Sequence, residues 1–259
     1  MNLLRPALTL AGLLLLWQWL VWLFAVPPYL LPSPLAVAQA MARQPELLAR
    51  NALVTFTEML LGLSFGALLG AAAALALLLS IRARRWLLPL LVASQAVPVF
   101  ALAPLLVLWF GYGLASKVVM ALLIIFFPVA VTLYDGLRRT DPGLLDLARV
   151  MTSDAPRHRF RVLVQIRFMA ALPAFVSGLK VAAAIAPIGA VIGEWVGASA
   201  GLGYIMLQAN ARVQIDLMFA ALFVLAITAV ALYAAVDRLG RHLLPWQADS
   251  LSMTQSEET

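Results

Sequence analysis

Long apolar runs, separated by short polar segments, fill most of this 259-residue chain. Runs of about 18 or more apolar residues are typical of membrane-spanning helices, because ~20 residues at a rise of 1.5 Å cross a hydrocarbon core ~30 Å thick. The pattern therefore predicts an all-α membrane protein with about six transmembrane helices. We expect them at residues 7–26, 53–80, 86–110, 116–134, 174–195 and 217–236.

Composition places the whole apolar part in one membrane domain, residues 1–249. Hydrophobic residues make up 64% of the chain and charged residues 12%, against about 25% charged in a soluble domain. The polar tail, 250–259, is expected to be disordered.

With no cysteine and two histidines, both in charged loops, no metal site is predicted. The net charge of +6 is scattered, without the basic stripe of a nucleic-acid-binding surface, so nucleic acid is not an expected partner.

The distribution of lysine and arginine predicts the orientation of the chain in the membrane. With the N-terminus inside, thirteen of these residues lie on the inner side and four on the outer, while Lys180 stays within a span. The outer four are Arg43, Arg50, Lys117 and Arg212. Both termini and the loop at 138–173 are therefore expected in the cytoplasm.

Small residues predict close packing of the second run. Gly62, Gly66 and Gly70 recur every four residues there, a small-xxx-small pattern that lets helix backbones approach closely in lipid. We expect this helix to pack against another one. Near the end of the chain, the glycine-rich stretch 196–216 leaves room for an additional short helix, at the membrane surface or re-entrant.

The third run contains three prolines, each of which removes a helical hydrogen bond. Broken backbone at membrane depth is tolerated where it is buried in protein or lines a cavity. The run is thus either a kinked structural helix or part of a transport pathway, and the pattern does not choose between them. Ser94 and Gln95, next to the break at Pro98, are the candidate pathway residues here.

Two glutamates lie in or at the ends of apolar runs, where ionisable groups are costly and usually face a cavity. For Glu58 the favoured interpretation is structural, a hydrogen bond to the neighbouring Thr55 or Thr57. Glu194 is a candidate for the outer mouth of a pathway together with Trp195, although that ring can equally serve as an interfacial anchor. A membrane enzyme using this carboxylate pair is disfavoured, because no nucleophile–base or metal-ligand spacing accompanies it.

The charged segment 138–173 interrupts the apolar pattern and holds ten of the thirty charged residues. Asp141 followed by Pro142 is a helix N-cap with proline at the first helical position. One apolar face then follows at helical spacing, made of Leu144, Leu147, Ala148 and Met151. A second start at Asp154 predicts another amphipathic helix ending at Pro173. The alternative is a solvated basic loop that merely obeys the positive-inside rule.

This segment also resembles a known family. Asp146-Leu147-Ala148, a turn, and Ala170-Ala171-Leu172-Pro173 are similar to the cytoplasmic coupling loop of the membrane subunits of bacterial ABC importers. Thr152 stands where that family has glycine, and the turn at 152–158 is about four residues longer than usual, so its geometry departs from the family pattern.

Further motifs extend the resemblance over nearly the whole chain. The segments at 29–34, 97–105 and 109–113 look like the branch that imports nitrate, sulfonates, taurine and thiamine precursors. Residues 188–212 are similar to permeases for hydroxymethylpyrimidine, the pyrimidine half of thiamine. The resemblance thus implies import of such a pyrimidine, with anions of the sulfonate, taurine or nitrate type as the alternative. Because Lys180 is the one cation expected within a span, a neutral solute is favoured.

The resemblance implies a type I ABC importer permease fold in the bacterial cytoplasmic (inner) membrane. It also implies a homodimer that binds two cytoplasmic ATPase subunits and receives solute from an extracytoplasmic binding protein. The chain has no phosphate-binding loop motif, so ATP and Mg²⁺ belong to the partner and the chain itself is not an enzyme. An ATP-independent secondary transporter is the less favoured alternative, since no inverted repeat is visible.

Two sets of site residues follow. The ATPase-coupling set is Asp146, Leu147, Ala148, Arg149, Met151, Thr152 and Arg159. Asp146 and Arg149 can pair with the partner or with each other, and the small Ala148 allows close approach. The pathway set is Ser94, Gln95, Pro98, Glu194 and Trp195.

Overall fold

The computed structural model describes residues 4–151 and 162–246. All regular structure in these residues is helical. The α-helices are α1 Leu4–Leu23, α2 Pro34–Arg43, α3 Pro45–Leu79, α4 Ile81–Ser94, α5 Val99–Phe110, α6 Leu114–Arg138, α7 Pro142–Met151, α8 Met169–Gly197, α9 Leu202–Ala211 and α10 Ile215–Leu243. A π-helical segment, Leu163–Phe168, leads directly into α8.

The membrane-spanning character follows from four long apolar helices. These are α3, α6, α10 and the helical stretch Gln165–Gly197, each long and apolar enough to cross a bilayer. The helices α4 and α5 together make a fifth candidate, bent by 102° at the break between them. The described apolar part of α1, Leu8–Leu23, is shorter. The all-α membrane fold is confirmed, whereas the number of six spans stays a prediction.

Helix α6 is the centre of the bundle, packed between α3 and α8. A Cβ atom added to Gly62 would collide with the Cβ of Ala121, and one added to Gly189 of α8 would lie 2.6 Å from the Cα of the same alanine. A Cβ atom added to Gly66 would likewise lie 2.7 Å from Cγ2 of Ile125. The predicted close approach of α3 is therefore confirmed, because only glycines let these backbones come so near.

The short helices α2 and α9 pack with the first turns of α3 and α10 into a separate apolar cluster, made of Val37, Ala40, Leu48, Leu202, Ile205, Ala209, Leu217, Ala220, Ala221 and Leu225. Helix α9 is the additional short helix expected within 196–216. Helix α2 was not expected, although its start carries a clear signal: Ser33 Oγ accepts from the N–H of Ala36 at 3.2 Å and Pro34 occupies the first turn.

In the charged segment the first predicted helix is present, and the second differs from the prediction. Helix α7 begins at Pro142, and Asp141 Oδ1 accepts from the N–H of Gly143 at 2.6 Å. The prediction that a helix ends at Pro173 is wrong, because α8 continues through this proline to Gly197. Proline is tolerated in membrane helices where local π-type adjustments accommodate it, and the π-helical segment lies just before it. The intervening turn, with Thr152 and Arg159, falls outside the described residues.

Candidate functional site

The predicted site residues fall in three separate places. The coupling set lies on and after α7, which connects the last turn of α6 to the helical stretch containing α8. Ser94, Gln95 and Pro98 lie at the α4–α5 break. Glu194 and Trp195 lie near the end of α8, the opposite end of the bundle from α7.

The α4–α5 break is an exposed elbow, residues 95–98. Ser94 ends α4, Pro98 precedes α5, and the two helix axes turn by 102°. The polar groups are satisfied locally: Ser94 Oγ donates to the carbonyl of Leu91 at 2.7 Å, and Gln95 Nε2 donates to Ser94 Oγ at 3.3 Å. The structure thus brings these three predicted pathway residues together at a real break in the backbone.

Glu194 and Trp195 do not share a surface. Glu194 is 1% exposed and points into the bundle, whereas Trp195 is 45% exposed. The Glu194 carboxylate accepts from Thr55 Oγ1 at 2.6 Å and from the N–H groups of Gly203 and Tyr204 at the start of α9. The Glu194 side chain therefore accepts hydrogen bonds at the N-terminal end of a helix, where the helix dipole favours an acceptor.

Thr55 and Asn51 complete this arrangement from α3. The hydroxyl of Thr55 accepts from the N–H of Leu202 at 2.8 Å, and Asn51 Oδ1 accepts from the N–H of Gly201 at 2.7 Å. Both side chains are buried. Together with Glu194 they form what we term the α9 clamp: Asn51, Thr55 and Glu194. The roles of Asn51 and Thr55 were not predicted, because hydroxyl and amide groups in apolar helices commonly bond their own backbone.

A buried ion pair lies next to the clamp and corrects two expectations. Lys117 Nζ lies 2.7 Å from Glu58 Oε1, and the two residues are 7% and 0% exposed. Glu58 was expected to bond Thr55 or Thr57, but Thr57 Oγ1 donates to its own helix at Leu53. Lys117 was counted among the charges of the outer side, and it lies buried near the start of α6. Lys180 is therefore not the sole cation within the spans. A count of charges along the sequence cannot show that a lysine is buried against a carboxylate of another helix.

The two buried glutamates of this region have different partners. Glu58 faces Lys117, and Glu194 faces the first turn of α9. The stem of Lys117 packs against Gly193 of α8, where an added Cβ would lie 3.1 Å from the lysine Cα. The pair thus ties α3, α6 and α8 together at one level.

Lys180, the cation predicted within the membrane, is also neutralised. Its Nζ pairs with Asp237 Oδ1 of α10, and the other oxygen of that carboxylate accepts from Arg241 at 3.2 Å. Both lysines of the long spans therefore have carboxylate partners.

Helix α7 presents apolar side chains outward. Leu144 is 48% exposed and Leu147 is 56% exposed, while Asp146 is exposed between them. Such a helix, with its N-terminus capped, has an open apolar face at the end of the bundle where α6 terminates.

Comparisons with known proteins agree with this architecture. The profile of the family described as binding-protein-dependent transport system inner membrane component matches residues 62–248. A probable ABC transporter permease protein from Haemophilus influenzae is 52% identical over 92% of this chain and 96% of its own length. The formylaminopyrimidine transport permease protein from Halalkalibacterium halodurans is 36% identical over 94% and 96%.

Solved structures identify the same fold. The chain of the inward-facing MetNI methionine ABC transporter superposes with a TM-score of 0.66 at 21% identity, covering 77% of this chain and 98% of that one. At this identity the likeness shows the fold alone, and the fold is that of a type I ABC importer permease. The sequence match over most of its length shows the family: this chain belongs to the binding-protein-dependent transport system inner membrane components, the multi-pass permease subunits of ABC transporters.

Proposed function

We propose that two copies of this chain form the translocation pathway of an ATP-driven importer for a small uncharged organic solute. A pyrimidine of the hydroxymethylpyrimidine type is the favoured solute. ATP is hydrolysed by a partner ATPase that docks on α7 in the cytoplasm, and an extracytoplasmic binding protein delivers the solute. The observation that carries the proposal is α7 itself, a capped amphipathic helix with an open apolar face between two spans.

The ATPase fits α7 for a physical reason. Leu144 and Leu147 are exposed, and burying apolar surface is favourable by about 25 cal/mol for each Å² removed from water. A solvated loop that only obeyed the positive-inside rule would need neither the Asp141 cap nor an ordered apolar face. A partner that covers the leucines recovers this free energy and transmits force to α6 and α8, between which α7 lies in the chain.

The test combines two changes on α7: Asp146→Arg reverses the charge at position 146, and Ala148→Trp adds bulk at position 148. We expect the complex to lose solute-stimulated ATP hydrolysis. The matched control places the same residue types on exposed positions of α4, Ile81→Arg with Arg84→Trp, and should leave stimulation intact. Normal stimulation in the α7 variant would refute the coupling role.

The elbow supports a homodimeric pathway. Residues 95–98 are exposed in the single chain, yet irregular backbone at membrane depth is tolerated only against protein or a water-filled cavity. A second copy facing the elbow, with the solute pathway between the two copies, meets this requirement. Ser94 and Gln95 then offer hydrogen-bonding groups to the solute, which is what a neutral heterocycle requires.

Two experiments test the elbow. Because the chain has no cysteine, Val97→Cys gives one thiol per copy, and we expect oxidation to cross-link two copies. The control is Leu15→Cys on exposed α1, which should not cross-link.

Gln95→Ala should raise the KM for uptake about fivefold, the effect of losing one neutral hydrogen bond worth about 1 kcal/mol. An exposed glutamine elsewhere, Gln39→Ala, should leave KM unchanged.

The charge state of the spans supports a neutral solute. Lys117 and Lys180 are engaged by Glu58 and Asp237, so neither offers a free cation to a sulfonate. The relative named for formylaminopyrimidine transport points in the same direction. Anions of the sulfonate, taurine or nitrate type are the alternative. Competition for uptake decides: hydroxymethylpyrimidine should inhibit and taurine should not, and the reverse result would select the anion.

A further inference from the structure

The first turn of α9 is held by side chains of two other helices. The first N–H groups of an α-helix have no partner within the helix. Here all four, from residue 201 to residue 204, have acceptors on the α9 clamp: Asn51 and Thr55 from α3 and Glu194 from α8. Every acceptor is buried. Helix α9 is therefore attached to two long spans by polar contacts and not only by apolar packing.

Backbone geometry makes the attachment specific. Gly201 has φ of 118°, a conformation that residues with a side chain rarely adopt, and an added Cβ there would collide with the Glu194 carboxyl group. At Gly203 an added Cβ would lie 3.2 Å from the Cα of Val191. The carboxylate, the two glycines and the α8 backbone thus occupy one tightly packed junction.

Separating α9 from this junction would leave several polar groups without partners. Four N–H donors and the acceptors on the clamp would face the apolar interior of the bundle, where water does not replace the lost hydrogen bonds. The adjacent Glu58–Lys117 pair would impose a similar penalty on separating α3 from α6. The elbow at 95–98 differs, since its side-chain hydrogen bonds in the described structure stay within α4 and the elbow itself.

We propose that α9 remains clamped to α3 and α8 throughout the transport cycle, so that these elements move as one body. Asn51, Thr55 and Glu194 act as positioning residues that fix α9, and the elbow absorbs the conformational change. This inference rests on the proposed function, because it concerns the motion that ATP drives.

Hydrogen–deuterium exchange of the intact complex with its ATPase tests the clamp. The amides of residues 201–204 are measured in the nucleotide-free complex and in the complex trapped with ATP and vanadate. We expect strong protection in both states. Thr55→Ala should speed exchange of the Leu202 amide by at least about tenfold, because this N–H loses its acceptor and local opening of the first turn then costs little free energy. The matched control is Thr57→Ala, whose hydroxyl bonds only its own helix.

Glu194→Gln supplies a milder variant, because its amide oxygen still accepts from α9. It should retain more protection than Glu194→Ala. Loss of protection at 201–204 in the trapped wild-type complex would overturn the inference even if no variant folds. Absence of ATP-driven uptake by the wild-type complex would instead refute the proposed function, so the two failures are distinguishable.

Discussion

Replacing Lys117 by methionine removes one charge from a buried pair and little else. The ammonium group lies 2.7 Å from Glu58 Oε1, and Glu58 is fully buried. Methionine keeps an unbranched stem, so the packing against Gly193 is retained. The variant therefore isolates the electrostatic consequence of leaving the Glu58 carboxylate uncompensated in the bundle.

The expected cost is large. Removing one member of a buried ion pair typically destabilises a protein by about 3–5 kcal/mol, because the remaining charge is desolvated without a partner. At about 2–4 °C for each kcal/mol in a chain of this size, the unfolding midpoint should fall by roughly 6–20 °C. Adding Glu58→Gln to the same chain removes the orphaned charge, and most of the loss should be recovered, since the intact pair contributes little net stability.

The assay is thermal unfolding of the detergent-purified protein, followed by the intrinsic fluorescence of its seven tryptophans. Lys180→Met is the control, because that lysine is 31% exposed and its ion pair is partly solvated; its effect should be clearly smaller. A midpoint for Lys117→Met within about 2 °C of wild type would mean a cost below about 1 kcal/mol and would refute the reasoning. A double variant no more stable than the single one would also refute it.

Three further changes test the packing, the cap and the strained backbone. Gly189→Val should abolish folded expression because it collides with Ala121, whereas Gly12→Val, with no atom within 4 Å, should express normally; detergent-soluble yield measures both. Asp141→Ala should weaken α7 by about 1 kcal/mol and reduce stimulated ATP hydrolysis, while Asp141→Asn, which can still cap, should retain it. Val213→Gly should raise the unfolding midpoint, because φ of 58° strains a β-branched residue by about 1–3 kcal/mol; a lowered midpoint would contradict this.

Features with a local cause were predictable from the sequence. The spans follow from apolar runs, and α7 follows from its cap at Asp141 and the helical spacing of its leucines. The break at Pro98 follows from a missing N–H group. The glycines at 62, 66 and 70 indicated a close helix contact. In each case the residues that make up the pattern lie within a few positions of one another, so the feature can be recognised without knowing what the segment packs against.

Pairings between distant segments were decided by the tertiary structure alone. Lys117 is 59 residues from Glu58, and Thr55 is 139 residues from Glu194. Whether such side chains meet depends on how each helix is rotated about its axis, and a one-residue change in that rotation turns a side chain by about 100°. Apolar runs long enough to span a membrane fix the length of a helix but not its rotation. For that reason neither the pairing of Lys117 with Glu58 nor that of Thr55 with Glu194 was visible in the sequence.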